Sequence, residues 1–309
     1  MTRPDTAAAA GLDRSARVSG FIERALRVPS GHRTFTSDRT RARRVHALTG
    51  DLLTELLDAG LPHAIIDGAV RLDDFDLANA SLYLGLSSPR TMAMRGWASA
   101  FNVAVGTRRR LTVKPVCREP GHAGPCRMRL GPAIGKALHH TGDVDSVRGI
   151  SIDHVIRTGS VHVPPAAQRL SDLVADVEFF QLPWAMYRDV AFLRANRLGD
   201  CSLTAEYLTR AAPGLGLRAR KAFGFLIAVP YSVNHVWTEV LVDGTWHAID
   251  PLLIRLLVAA GVLDEEQWGA ERTLGGAALR LHDDVATMVL HVDGQGAFSA
   301  PAEFSLPTV

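Results

Sequence analysis

Asp243-Gly244 lies between two runs of strand-forming residues, Val236-Trp237-Thr238-Glu239-Val240-Leu241-Val242 and Thr245-Trp246-His247-Ala248-Ile249. An Asp-Gly pair in that setting is the strongest short-range signal for a two-residue β-hairpin, because both central residues of the turn take positive φ. If Val242 pairs with Thr245, the ladder sets Trp237 opposite Asp250. His235 and Trp237 are two residues apart and share a face. Asp250 is then the diagonal neighbour of His235, within reach of a long side chain. One turn therefore places an imidazole beside a carboxylate, and a slip of one residue would separate them.

Upstream, Cys201 stands in Leu198-Gly199-Asp200-Cys201-Ser202-Leu203. Leu203, Tyr207, Leu208 and Ala211 follow at helical spacing. Cys201 is thus expected in the first turn of a helix, where unpaired backbone N–H groups and the helix dipole favour an anion, here a thiolate. A cysteine, a histidine and an aspartate so arranged supply a nucleophile, a base for its proton and a group that fixes the ring.

Three segments carry a resemblance. Gly199-Asp200-Cys201, His235-Val236-Trp237-Thr238-Glu239-Val240 and Trp246-His247-Ala248-Ile249-Asp250-Pro251 resemble, in order, the motifs of the transglutaminase-like superfamily. The resemblance covers residues 181–253, about a quarter of the chain. It implies an α+β fold with a papain/transglutaminase-like core, the cysteine helix packed on an antiparallel sheet. It also implies Cys201, His235 and Asp250 as the catalytic residues. The backbone N–H of Cys201 would be the first oxyanion donor, with Trp184 or Gln181 as candidates for the second. The simpler reading of Trp184 is a core aromatic. Trp237 and Trp246 are candidates for lining an acyl pocket, or core residues of their strands. His247 should face away from His235. Arg197-Leu198-Gly199-Asp200-Cys201 departs from the Arg-Gly-Gly-aromatic-Cys motif of the arylamine acetyltransferases, which argues against acetyl-CoA chemistry.

The reaction expected from this resemblance is thiol-dependent acyl transfer through a thioester on Cys201. Amide formation onto an amine acceptor in small-molecule biosynthesis is the favoured form. A cysteine peptidase or deamidase is the alternative, and a non-catalytic binding module the third reading. The partners would be an acyl donor (a carrier-protein thioester, a peptide or a glutamine amide) and an amine acceptor. No cofactor is expected for the catalysis.

The rest of the chain sets bounds. Of 309 residues, 47% are hydrophobic and 21% charged, enough for a sizeable core. A net charge of +2 gives no reason to expect nucleic acid as a partner. No apolar run is long enough for a membrane span, and the start lacks the pattern of a signal peptide. Three cysteines, an odd count, suit a reducing compartment, so the expected location is cytoplasmic. The texture divides into a loosely ordered arm (1–40), a helical and loop-rich accessory region (41–164) and a catalytic domain (165–309). Periodicity predicts helices over 38–57, 75–86 and 91–105, then an interrupted helix over 170–194. A strand over 217–229, a helical segment over 253–280 and a last strand over 286–292 complete the reading.

One further cluster draws notice. Cys117-Arg118-Glu119-Pro120-Gly121-His122-Ala123-Gly124-Pro125-Cys126 offers Cys117, His122 and Cys126 as possible structural zinc ligands, with His139, His140 or His154 as a fourth. The alternative is a loop with two free thiols. Residues 139–145 mix ligand types without a motif. The run Gly131-Pro132-Ala133-Ile134-Gly135-Lys136 lacks the spacing of a phosphate loop.

Overall fold

Asp243 and Gly244 take φ of 47° and 77°, the left-handed pair that a type I′ hairpin needs. Val242 pairs with Thr245, and the ladder continues through Leu241 with Trp246, Val240 with His247, Glu239 with Ala248 and Thr238 with Ile249. The expected register is therefore the observed one. This computed structural model of the chain describes residues 6–115, 117, 126–145, 147–269, 271–292, 297–298 and 302–305. Its helices and antiparallel sheets make it an α+β protein.

The chain forms two compact units, Met1–Ala93 with Val177–Asp200, and Met94–Asp176 with Cys201–Val309. The backbone thus passes between them three times, and neither unit follows the sequence boundaries at 40 and 164.

In the first unit, Thr6–Arg27 is a helix rather than a loose arm. Val18, Phe21, Ile22 and Ala25 fall three and four residues apart and are buried, a stripe that the glycines at 11 and 20 obscure in the sequence. The helix expected over 38–57 is two, Arg39–His46 and Gly50–Asp58. Ala47 ends the first in a left-handed conformation, and the Thr49 side chain accepts from Leu52 N–H to start the second. A hairpin follows, His63–Ile66 with Ala69–Asp73, turned at Asp67 and Gly68. Asp73 then caps the helix Asp74–Tyr83 through Phe75 and Asp76 N–H. Buried Arg33 joins these pieces. Its guanidinium donates to the carbonyls of Ala25 and Val28 at the end of the long helix and reaches Asp76 at 2.6 Å.

The second unit is built on an antiparallel sheet, ordered Thr245–Ile249, Asn234–Val242, Arg218–Leu226, Ala278–His282. The helical segment expected over 253–280 stops at Ala259, and Ala278–His282 pairs as a strand with Arg218–Leu226. The register with that strand shifts between Phe223 and Gly224. A Cβ on Gly224 would lie 1.9 Å from the Leu279 carbonyl oxygen, so only glycine fits where the two backbones close. Phe223, Phe225, Ile227 and Val236 bury against Leu111, Met128, Leu130 and Val289 from two further four-stranded sheets. The helix Cys201–Ala211 adds Ala205 to that core. Its contact with the sheet includes Thr238 Oγ1 donating to the Ala205 carbonyl at 3.4 Å. Among the described residues no helix is long and apolar enough to cross a membrane.

Arg33 carries a prediction. Arg33→Met leaves the Asp76 carboxylate buried without its partner and should cost about 3–5 kcal/mol in denaturant unfolding, whereas Arg33→Met with Asp76→Leu should recover most of it. A loss under about 1 kcal/mol in the single variant would contradict the role given to the pair.

Candidate active site

Asp250 is the residue where the local structure and the site meet. It follows the strand Thr245–Ile249 and precedes the helix Pro251–Ala259. Its Oδ1 accepts from Leu253 N–H at 2.9 Å, an N-cap bond. Pro251 sits at the first helical position, where its missing N–H costs nothing. The cap turns the other oxygen, Oδ2, to His235 Nε2 at 2.7 Å. Histidine and aspartate are 6% and 3% exposed, so water does not compete for that bond.

With Nε2 committed to Asp250, Nδ1 is the ring nitrogen left for the hydrogen bond that His235 also makes with the Cys201 side chain. Cys201 is the first residue of its helix and half-buried. Burial alone would lower the basicity of His235. The electrostatic influence of Cys201, the Asp250 bond, the Cys201 bond and the Asp250 charge together outweigh it and push the ring up to about 10. The ring stacks nearly parallel to Trp237, with centroids 6.2 Å apart and planes at 14°. Gly224 is paired directly opposite His235 on the neighbouring strand.

The structure thus brings Cys201, His235 and Asp250 together. Trp237 is fully buried and serves as a wall for the imidazole rather than an accessible pocket surface. Trp246 lies under the Arg220 guanidinium at 4.0 Å, and His247 is on the strand face opposite His235. Gln181 and Trp184 belong to the first unit. The backbone of Gln181 is clasped by Asn79, which accepts from its N–H at 2.7 Å and donates to its carbonyl at 2.9 Å. Trp184 is 66% exposed and so is no core aromatic.

Sequence reasoning missed two contributors. Arg255, one turn into the helix that Asp250 caps, donates to the Val174 carbonyl at 2.6 Å. Burial lowers its guanidinium while the nearby Asp250 charge works to raise it. Lys221 bridges Glu206 on the Cys201 helix and Asp284, each at 2.7 Å. Burial would raise Glu206, but Lys221 and Arg210 hold its carboxyl below the ordinary value. Arg255 and Glu206 stand four and five positions past a motif and are visible in sequence, but their partners, Lys221 among them, are set only by the fold.

The two remaining cysteines meet an unexpected residue. Among the described residues, Cys117, Cys126 and His291 bring their ligand atoms within 4.8 Å of one another. His122 lies outside the described residues, and His139, His140 and His154 are not part of this group.

Residues 157–251 match the family model of the Transglutaminase-like superfamily. The matched segment holds Cys201 and His235 and ends one residue beyond Asp250. That superfamily comprises cysteine-based acyltransferases and peptidases. No curated protein matches the chain.

The raised His235 gives this transglutaminase-like segment a pH signature. Its folded value lies above the ordinary 6.5. The stabilisation it adds is complete below about pH 6.5 and is lost as pH rises through about 10. Asp250→Asn keeps a good helix cap but removes the carboxylate charge. Histidine NMR should then show the His235 midpoint lowered by about one unit or more, and the melting temperature should fall at neutral pH with the loss of about 1.4 kcal/mol per unit. An unmoved midpoint would contradict the electrostatic role of Asp250.

Proposed function

We propose that this protein forms amide bonds by acyl transfer through a thioester on Cys201. The observation that carries the reading is the hydrogen bonding of a single buried imidazole to both the Asp250 carboxylate and the Cys201 side chain. In the first step the Cys201 sulfur attacks the acyl carbon. The tetrahedral oxyanion forms near the first turn of the Cys201 helix, where backbone N–H groups lack intrahelical acceptors. The carbon–heteroatom bond to the leaving group breaks, and His235, as imidazolium, gives that group its proton. In the second step an amine attacks the thioester and His235 takes its proton. The carbon–sulfur bond breaks and Cys201 returns as thiolate. Asp250 orients the ring and stabilises its positive charge in both steps.

The choice of amine over water rests on burial. His235 and Asp250 are shut off from solvent, and the half-buried Cys201 is the exposed end of the triad. An acyl group on that sulfur further restricts water beside the imidazole, which favours a nucleophile bound for the purpose. The donor class that suits the mechanism is a thioester, as on a carrier protein; a peptide or glutamine amide needs the same groups with a poorer leaving atom.

Incubation with short acyl thioesters of N-acetylcysteamine and a primary amine tests this. Mass spectrometry should find an acyl adduct on Cys201 and an amide product. Cys201→Ala should reduce turnover by about 10⁴-fold or more, and His235→Ala nearly as much, since the groups act as a unit. Acid product alone at saturating amine would establish a hydrolase instead. Equal turnover by Cys201→Ala would remove the assignment of the nucleophile.

A further inference from the structure

We propose that Cys117, Cys126 and His291 form a structural site for a zinc-class divalent ion. Two of the residues stand nine positions apart in the sequence, and the third, His291, comes from far along the chain. Cys117 lies beyond the strand Arg108–Val113, Cys126 directly precedes Arg127–Leu130, and His291 is the last residue of Val289–His291. The pairing of His291 with Met128 on the adjacent strand brings the imidazole to the cysteine end of Arg127–Leu130. Their ligand atoms lie within 4.8 Å of one another. A tetrahedral ion with bonds of about 2.3 Å to sulfur and about 2.1 Å to nitrogen sets such atoms about 3.5–3.8 Å apart. An approach of about 1 Å, within the range of side-chain rotation, closes the site around the ion.

The chemistry of the donors fits that class of metal. Two sulfurs and one imidazole are soft and borderline ligands that favour zinc over magnesium or calcium. Cys126 and His291 are buried and Cys117 half-buried, so the site is set into the protein rather than on its surface. Binding would release the two thiol protons and leave a site with no net charge before its fourth ligand, suited to burial against a core.

The position gives the ion a purpose. Arg108–Val113 belongs to one four-stranded sheet, and Arg127–Leu130 and Val289–His291 to another. Cys117, Cys126 and Cys201 all pack against the core that these sheets share with the strand carrying His235. An ion at the site staples the two sheets together and so supports, from a distance, the platform under the triad. Its existence does not depend on the acyl-transfer reading.

The test uses the full-length protein, reduced, stripped with a chelator and reloaded with Zn²⁺ or Co²⁺. Metal analysis should find about one ion per chain. The cobalt form should show tetrahedral visible bands and thiolate-to-cobalt charge transfer, and X-ray absorption should count two sulfurs. Zinc loading should raise the melting temperature. Cys201→Ala should bind the ion as tightly as the wild type, while His291→Ala and Cys117→Ser should weaken binding about 10-fold or more. Where a variant fails to fold, the wild-type cobalt spectrum decides alone. A substoichiometric ion, a spectrum without thiolate charge transfer, or undiminished binding in folded His291→Ala would overturn the proposal. So would a Cys117–Cys126 disulfide in protein isolated under reducing conditions.

Discussion

The carboxylate of Asp250 is held from two sides, and the arrangement of the site follows from that. One oxygen closes the N-terminus of Pro251–Ala259 and the other receives His235 Nε2. A carboxylate engaged this way cannot rotate without losing a bond to a buried partner. The imidazole is therefore fixed in plane and in tautomer, and its second nitrogen is committed to Cys201. The Asp-Pro step explains itself in the same terms: aspartate as cap and orienter, proline as the residue that best begins the helix behind it.

Around this pair the fold supplies rigidity. The type I′ turn fixes the register that sets His235 and Asp250 on one face. Trp237 lies nearly parallel to the ring on the same strand face, and Gly224 lets the strand opposite His235 close on its other neighbour. Burial of a charged imidazole is expensive by itself, and its interactions with Asp250 and Cys201 reverse the balance. The Cys201 helix is in turn pinned to the sheet by the Glu206–Lys221 ion pair as well as by apolar contact.

Much of the site was legible because its spacing is local. His235 and Asp250 are separated by one hairpin, and the turn dipeptide alone determines their register. The Cys201 helix start was equally visible. The same dipeptide at Asp67-Gly68 marks a second hairpin that the apolar periodicity of residues 38–57 and 75–86 drew attention away from. Its outer strand, His63–Ile66, is mostly exposed and so lacks the alternation that betrays a half-buried strand. The strand Ala278–His282 was hidden for another reason. The apolar content of residues 252–281 suits a buried helix and a buried strand alike, and only pairing with Arg218–Leu226 decides between them. His291 could not be tied to Cys117 and Cys126 from sequence, since a ladder between strands over 150 residues apart joins them.

The central claim is that one of the three cysteines is a nucleophile because of where the fold puts it. Limiting alkylation by iodoacetamide at neutral pH, followed by peptide mass spectrometry, measures this directly. Cys201 should carry the label first, at its helix start beside His235, and His235→Ala should slow that labelling while leaving Cys117 and Cys126 as they were. Preferential labelling of Cys117 or Cys126, or a Cys201 rate indifferent to His235, would contradict the account.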